Sequence, residues 1–268
     1  MAPLHSENHP PFKCHQGVFT DLDYHGAVAK NDFEKALMMR IKIIKNMEQI
    51  IIEHLYKPKI EEIWNGTSPS VPLQKFGYDV VDHLHKGKIM FVGFNPSAPQ
   101  DPPPARLFTK ISGANNSLYP YLRPFKRLAE EIVGLECDYS YLDMLFVRCR
   151  NLNTIKKLLA KDNAFATFSS KQFELFKTLL EEACPYAIVV CGAFARQCFQ
   201  NLFQMEFDEN IGTFCIVNHK SLNCVPVFFT GMLTGKHALD KGSYKRLVWH
   251  IKRIVSGKLR NNSMPYTP

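Results

Sequence analysis

The segment Gly93-Phe94-Asn95-Pro96-Ser97 follows the apolar run Ile89-Met90-Phe91-Val92 and puts a small amide side chain on a stiff turn. A short apolar run closed by Gly and Pro reads as a buried strand. Pro96 fixes its own backbone angle and pushes Asn95 away from helix. The amide is therefore held at the carboxyl end of a strand, the edge at which open α/β sheets bind ligands. A rigid Asn there can orient a water or read an amide-like edge. It can equally be a strand-ending turn with no chemistry.

Further features follow in order along the chain. Ala105-Arg106-Leu107-Phe108 comes before Ser112-Gly113. Asp143 interrupts the apolar run from Tyr141 to Val147, which leads into Arg148-Cys149-Arg150-Asn151. Ionised Asp only accepts hydrogen bonds, so Asp143 favours a ligand edge that carries donors, or else caps a loop or pairs with Arg148 or Arg150. Next comes Pro185-Tyr186-Ala187-Ile188-Val189-Val190-Cys191-Gly192-Ala193-Phe194-Ala195, and finally Thr230-Gly231-Met232-Leu233-Thr234-Gly235-Lys236-His237. In that last stretch Gly231 and Gly235 allow the backbone close to a phosphate. Met232 and Leu233 are apolar side chains on a loop, suited either to wedging a duplex or to core packing. Ser243 is a candidate helix cap, with Lys241, Lys245 and Arg246 in reach of phosphates.

The whole chain bounds these readings. It has 268 residues, 46% of them apolar, and a net charge of +8, which favours a polyanionic partner such as nucleic acid. Much of the basic charge lies at Lys236, Lys241, Lys245, Arg246, Lys252, Arg253, Lys258 and Arg260, where the alternative is a solvated helix face. The start Met-Ala-Pro-Leu-His-Ser-Glu does not read as a signal peptide, and no apolar run reads as a membrane span. The eight Cys include no Cys-x-x-Cys. Cys184, Cys191 and Cys198 recur every seven residues, but the first two bracket a strand and do not line one face. No metal or other cofactor is expected. The expectation is a monomer with reduced thiols, cytoplasmic and not secreted, nucleoid-associated in a prokaryote.

Stepwise punctuation divides the chain. Residues 1–30 read as an irregular arm. Asn31 and Glu34 form a capping-box pattern. Phe33, Leu37, Ile41, Ile44, Met47, Ile51 and Leu55 then recur at helical spacing. Pro58, Pro69, Pro72 and Gly77 break that pattern, so residues 31–87 read as a helical appendage and connector. Strands are expected at Ile89–Gly93, Tyr141–Val147, Tyr186–Cys191 and Val225–Thr230. Helices are expected at Pro120–Val133, Ser170–Ala183, Phe194 to about Phe203, and from about Gly242 to Val255. This alternation predicts a three-layer α/β/α sandwich with a central, mainly parallel four-stranded sheet over residues 88–257, followed by a tail at 258–268. The loops after its strands share one rim.

The ordered set from Lys88 to Val255 resembles the uracil-DNA glycosylase superfamily. Gly93-Phe94-Asn95-Pro96 looks like the opening motif in its Gly-x-Asn-Pro form. Leu107-Phe108 looks like the place of the aromatic that stacks on an extruded base. Val147-Arg148-Cys149-Arg150 and Cys191-Gly192-Ala193-Phe194-Ala195 are similar to segments of the iron–sulfur branches. Those branches need four Cys, and only Cys14 stands near the N-terminus, so no cluster is implied. Thr230-Gly231-Met232 matches the second motif without its His, for which His237 is the candidate substitute. Asp143 stands where the base-reading Asn is expected.

The resemblance implies monofunctional release of a deaminated or modified base by flipping it out of the stack. Asn95 would hold the water, with Lys236 or His237 offsetting charge on the leaving base. Phe94, Phe108 and Asp143 would contact the base. Ser97, Met232, Leu233, Gly235, Lys236, Lys241, Lys245 and Arg246 would contact the DNA. Such a reaction has an oxocarbenium-like transition state, and Asn is a poor general base. No Lys is placed for a Schiff base. The other readings are a non-catalytic member of the same fold that binds DNA or a protein, and an unrelated doubly wound nucleotide-binding domain. The latter is weakened because no Gly-rich phosphate loop follows the first strand.

Overall fold

The structure, a computed structural model, describes residues 48–66, 71–111, 120–135, 138–235 and 238–261, with side chains to residue 256. The chain divides into Met1–Lys45 and Asn46–Pro268. The expected arm and most of the first helix lie outside the described residues.

Ten strands and seven α-helices occur among the described residues. The strands are β1 (Gln49–Ile51), β2 (Gly77–Val81), β3 (His83–His85), β4 (Ile89–Gly93), β5 (Ala105–Thr109), β6 (Tyr139–Asp143), β7 (Ala187–Cys191), β8 (Met205–Asp208), β9 (Thr213–Ile216) and β10 (Pro226–Thr230). The helices are α1 (Ile52–Leu55), α2 (Lys57–Asn65), α3 (Arg123–Val133), α4 (Leu152–Lys161), α5 (Asn163–Ala183), α6 (Ala193–Leu202) and α7 (Lys241–Asn261). The fold is mixed α/β, and its main sheet has six strands rather than four, in the order β6-β4-β7-β10-β9-β8. The first four are parallel, and β9 and β8 extend them antiparallel. β8 reads Met-Glu-Phe-Asp at the sheet edge, half exposed, so it lacks the apolar run that marks β4 and β7. Every residue of β4, β6 and β7 is buried. Strands covered on both faces read as continuous apolar sequence, which is why β4 and β7 stand out in the chain.

The chain runs from β4 to β6 on one side and later to β7 on the other, so the strand order reverses at β4. The crevice outside the carboxyl ends of β4 and its neighbours is where such sheets place a ligand. Residues Gly93 and Asp143 are paired there, as are Thr230 and Cys191.

The described residues before Lys88 contribute to the core. Ile50, Ile52, Ile60 and Leu84 are fully buried. Pro58 falls in the first turn of α2, where its missing N–H costs nothing, so it starts a helix instead of breaking one. Ile51 belongs to β1, whose antiparallel pairing with β3 overrides the helical spacing. β2 and β5 form a separate parallel pair, so Leu107 and Phe108 lie on a strand. β6 ends at Asp143, four residues early, because the amides that follow turn onto β4: Met144 N–H donates to Gly93 O at 3.1 Å and Leu145 N–H to Phe94 O at 2.8 Å. α4 and α5 carry their own caps, Asn151 accepting from the Asn153 amide and Asp162 from the Phe165 amide. The last helix is capped by Asp240, which accepts from the Gly242 amide at 2.8 Å and the Ser243 amide at 3.0 Å, and not by Ser243.

Ser140 joins β3 to the main sheet. Its hydroxyl accepts from the His85 amide at 2.7 Å and donates to the His85 carbonyl at 3.2 Å, with no solvent access. Ser140→Ala leaves both backbone groups unmatched, so it is expected to cost about 1–3 kcal/mol, read as a lower urea midpoint with an unchanged m-value.

Candidate functional site

Asn95 is fixed by its own amide. Its Nδ2 donates to Pro96 O at 2.9 Å and Cys149 O at 2.8 Å, with Val147 O at 3.5 Å. Three carbonyl oxygens around one end of the side chain identify that end as nitrogen. Among the described residues no donor reaches Oδ1. The Cys149 amide donates to Pro96 O at 3.2 Å, so the turn after β4 and the segment after β6 are tied together twice. Asn95 thus builds the rim, and a change there disturbs the rim as well as any bound water.

The cavity at this rim has a volume of about 50 Å³ and is lined by Pro96 and Ser97, not by Asn95. That is room for about four waters at 10–15 Å³ each. Its polar wall comprises Asp79, Thr109, Tyr121, Tyr141 and Asp143. Tyr141 and Asp143 are two apart on β6 and share a face. The Tyr141 hydroxyl donates to Asp143 Oδ1 at 2.7 Å, and the Tyr121 hydroxyl lies 3.5 Å beyond. This pair lies across the end of β4: a Cβ on Gly93 would fall 2.1 Å from Asp143 Oδ1 and 2.2 Å from the Tyr141 hydroxyl oxygen. Only glycine leaves them that space.

Asp143 is 8% exposed. Burial pushes its carboxyl up to about 8; the Tyr141 hydroxyl favours the ionised form, and the Asp79 charge adds to the upward push. At neutral pH the acid form predominates. This runs against the ionised, acceptor-only Asp143 expected from residue type: a carboxylic acid carries one O–H donor and an acceptor oxygen, the same pair of functions as an Asn side chain.

Asp79, on β2, faces the same cavity and was missed in the sequence. Its Oδ1 accepts from the Thr109 hydroxyl at 2.6 Å. Burial raises this carboxyl too, opposed by the Thr109 hydrogen bond and the Arg148 guanidinium. The residue was hidden because Pro69, Pro72 and Gly77 mark its neighbourhood as a connector; the available signal was Gly77-Tyr78-Asp79-Val80-Val81, a short strand pattern with one carboxylate in it.

Ser97 is exposed at the cavity mouth. Phe94 is buried edge-on against Phe194 at 4.6 Å, and Phe108 packs edge-on against Tyr78 at 5.7 Å. Neither ring lines the cavity. Met232 is half buried, its sulfur 3.0 Å from where a Gly192 Cβ would stand. Leu233 is also half buried and packs on the core, so neither projects as a wedge. Gly235 has φ +79°, a left-handed backbone suited to glycine. Lys236 and His237 lie outside the described residues.

Leu233 and Lys241 do meet. They line a groove of about 500 Å³ with Arg123, Arg127 and Tyr244. α3 and α7 are joined there by the Tyr244 hydroxyl donating to Glu131 Oε1 at 3.1 Å. The cations Arg123 and Arg127 were not anticipated; their i, i+4 spacing at the start of α3 was the signal. The groove begins one residue after Leu122, which lines the cavity. Lys245 and Arg246 are exposed on the next turn of α7.

No protein-family model matches the chain, and no curated protein matches it.

The Asp143 carboxyl holds its proton more tightly in the folded chain than in the unfolded one, where it titrates near 3.8. Its contribution to stability is therefore fully present below about pH 4 and is lost as pH rises through about 8. Asp143→Asn keeps an acceptor for Tyr141 and carries no charge. The melting temperature of the native chain is expected to fall from pH 6 to pH 9, and that of Asp143→Asn to fall less. Parallel slopes would contradict the buried acid.

Proposed function

We propose that this domain, read as an α/β/α sandwich, hydrolyses the N-glycosidic bond of a base in DNA without a metal and without a strand-cleaving step. The observation that carries the reading is Asp143: a carboxylic acid kept neutral by burial, lining a cavity at the reversal point of a parallel sheet. Such an acid pairs with a base edge that presents a carbonyl next to an N–H, its O–H donating to the carbonyl and its oxygen accepting from the N–H. A deaminated base such as uracil has that edge. An amine edge, a ring nitrogen beside an N–H, also takes one hydrogen bond from the acid and gives one to it, so Asp143 fits either kind of edge. The same O–H then strengthens its hold as negative charge develops on the leaving base.

The groove carries Arg123 and Lys241, with Arg127 paired to Glu131 at 3.0 Å, and this supports a polyanionic substrate, since it starts where the cavity wall ends. Cations placed this way neutralise phosphates and hold the strand in register.

One observation favours the second reading, a DNA-binding protein of the same fold without activity. The Asn95 amide nitrogen is spent on backbone carbonyls, as in a structural turn.

One experiment separates the two. The protein is incubated with DNA carrying uracil and other modified bases, and released bases are identified by mass spectrometry. Free bases are expected in the supernatant, with Asp143→Ala releasing about 10²-fold less. DNA affinity is measured against salt alongside. Replacing Arg123, Arg127 and Lys241 by Ala is expected to reduce the log–log slope by about 2–3, at about 0.9 per phosphate contact. A steep salt slope with no base released supports the non-catalytic reading.

A further inference from the structure

We propose that Asp79, upstream of the first motif, is the general base that takes a proton from the attacking water. The inference rests on the glycosidic-hydrolase reading of the same cavity. Asn95, the residue expected to handle the water, does not line the cavity and its amide has no basicity to offer. A carboxylate within hydrogen-bond reach of the water is what general-base catalysis needs. Asp79 is the one carboxyl facing this cavity, among the described residues, besides Asp143.

Its surroundings suit the role. The Thr109 hydroxyl donates to Oδ1 at 2.6 Å and so fixes the plane of the carboxyl, leaving Oδ2 to accept. The Asp79 amide donates to Phe146 O at 3.0 Å, which ties the backbone of β2 to the segment after β6. The two carboxyls thus reach the cavity from different sheets, β2 and β6, with Pro96 and Ser97 between the flanking walls. Two carboxyls sharing one small volume cannot both ionise cheaply. The proton stays on Asp143, which is the deeper of the two, and Asp79 carries the charge, steadied by Thr109 and Arg148. Environments that separate two such groups assign one as acid and the other as base.

The step balances. The water oxygen bonds to C1′ of the sugar as the C1′–N bond breaks, and the bonding pair leaves with the base. One water proton passes to Asp79. The Asp143 proton passes to the departing base. The products are the free neutral base and a sugar bearing a C1′ hydroxyl. Asp79 then returns its proton through solvent to Asp143, and the pair is reset without a net gain of protons.

The inference is tested with Asp79→Asn, which keeps an acceptor for Thr109, and with Asp79→Glu, which keeps the carboxylate. Base release from uracil-bearing DNA is followed over the whole pH range in which the chain stays folded. In the native chain the rate is expected to rise with pH as Asp79 ionises and to fall as Asp143 loses its proton, a bell-shaped profile. Asp79→Asn is expected to release base at least about 10²-fold more slowly, with DNA affinity and melting temperature close to native and the acidic limb gone. Asp79→Glu is expected to recover part of the rate and the acidic limb. Added formate is expected to speed Asp79→Ala and not Asp143→Ala. If Asp79→Asn keeps the native rate and pH profile while Asp143→Ala is inactive, the role of Asp79 is overturned and the hydrolase reading stands. If the native chain releases no base from any DNA, the hydrolase reading falls and takes this inference with it.

Discussion

Two carboxyl groups facing a cavity with room for only a few waters cannot both be charged, and the geometry around Gly93 decides which one keeps the proton. The Tyr141–Asp143 pair can lie across the end of β4 only because no side chain projects from Gly93. That contact buries Asp143, and burial sets its protonation state. Asp79 approaches from another sheet, held by Thr109 and balanced by Arg148. The chemistry proposed for the cavity follows from this asymmetry. In the proposed reaction a neutral acid pairs with the base edge and gives up a proton, and its partner takes one from water.

The rest of the fold serves that arrangement. The strand order reverses at β4, so the connections after β4 and β7 leave in opposite directions, the place where such sheets form a crevice. Asn95 closes the crevice on one side by tying the turn after β4 to the Cys149 carbonyl, and the Pro96 carbonyl takes the Cys149 amide in return. The short helical turn at Pro120–Leu122 closes the other side and hands the chain on to α3, whose first residues carry Arg123 and Arg127. The cavity and the groove of Arg123 and Arg127 are thus set by one stretch of chain, and their spacing is fixed by backbone.

How much of this was legible in the sequence depends on how each residue carries its signal. β4 was read to the residue, because a strand buried on both faces is a plain apolar run ended by Gly-Phe-Asn-Pro. β7 and β10 were read to within one residue for the same reason. β6 was overextended, since Met144 to Val147 are as apolar as a strand but bond to the β4 rim instead. β8 and β9 were missed, as an edge strand containing Glu206 and Asp208 has no apolar period. β2 and Asp79 were missed because prolines and a glycine before them read as a connector, although Pro58 proves to start a helix. For Asp143, residue type gives only the unperturbed acid, while its burial beside Tyr141 and Gly93 is a tertiary fact. Phe94 and Phe108 were assigned to a base and turn out to pack against Phe194 and Tyr78. An aromatic beside a motif looks the same in sequence whether it faces a ligand or the core.

The most direct measurement is the titration of Asp143 itself. Carbon-13 spectra of the protein labelled at its Asp carboxyl carbons, with the Asp143 resonance identified by its loss in Asp143→Asn, follow the group from pH 4 to pH 10. A resonance that remains that of a carboxylic acid at neutral pH and shifts with a midpoint about 8 is the expected result. A resonance already that of a carboxylate at pH 6 would show Asp143 charged in the cavity and contradict the acid on which the proposed chemistry depends.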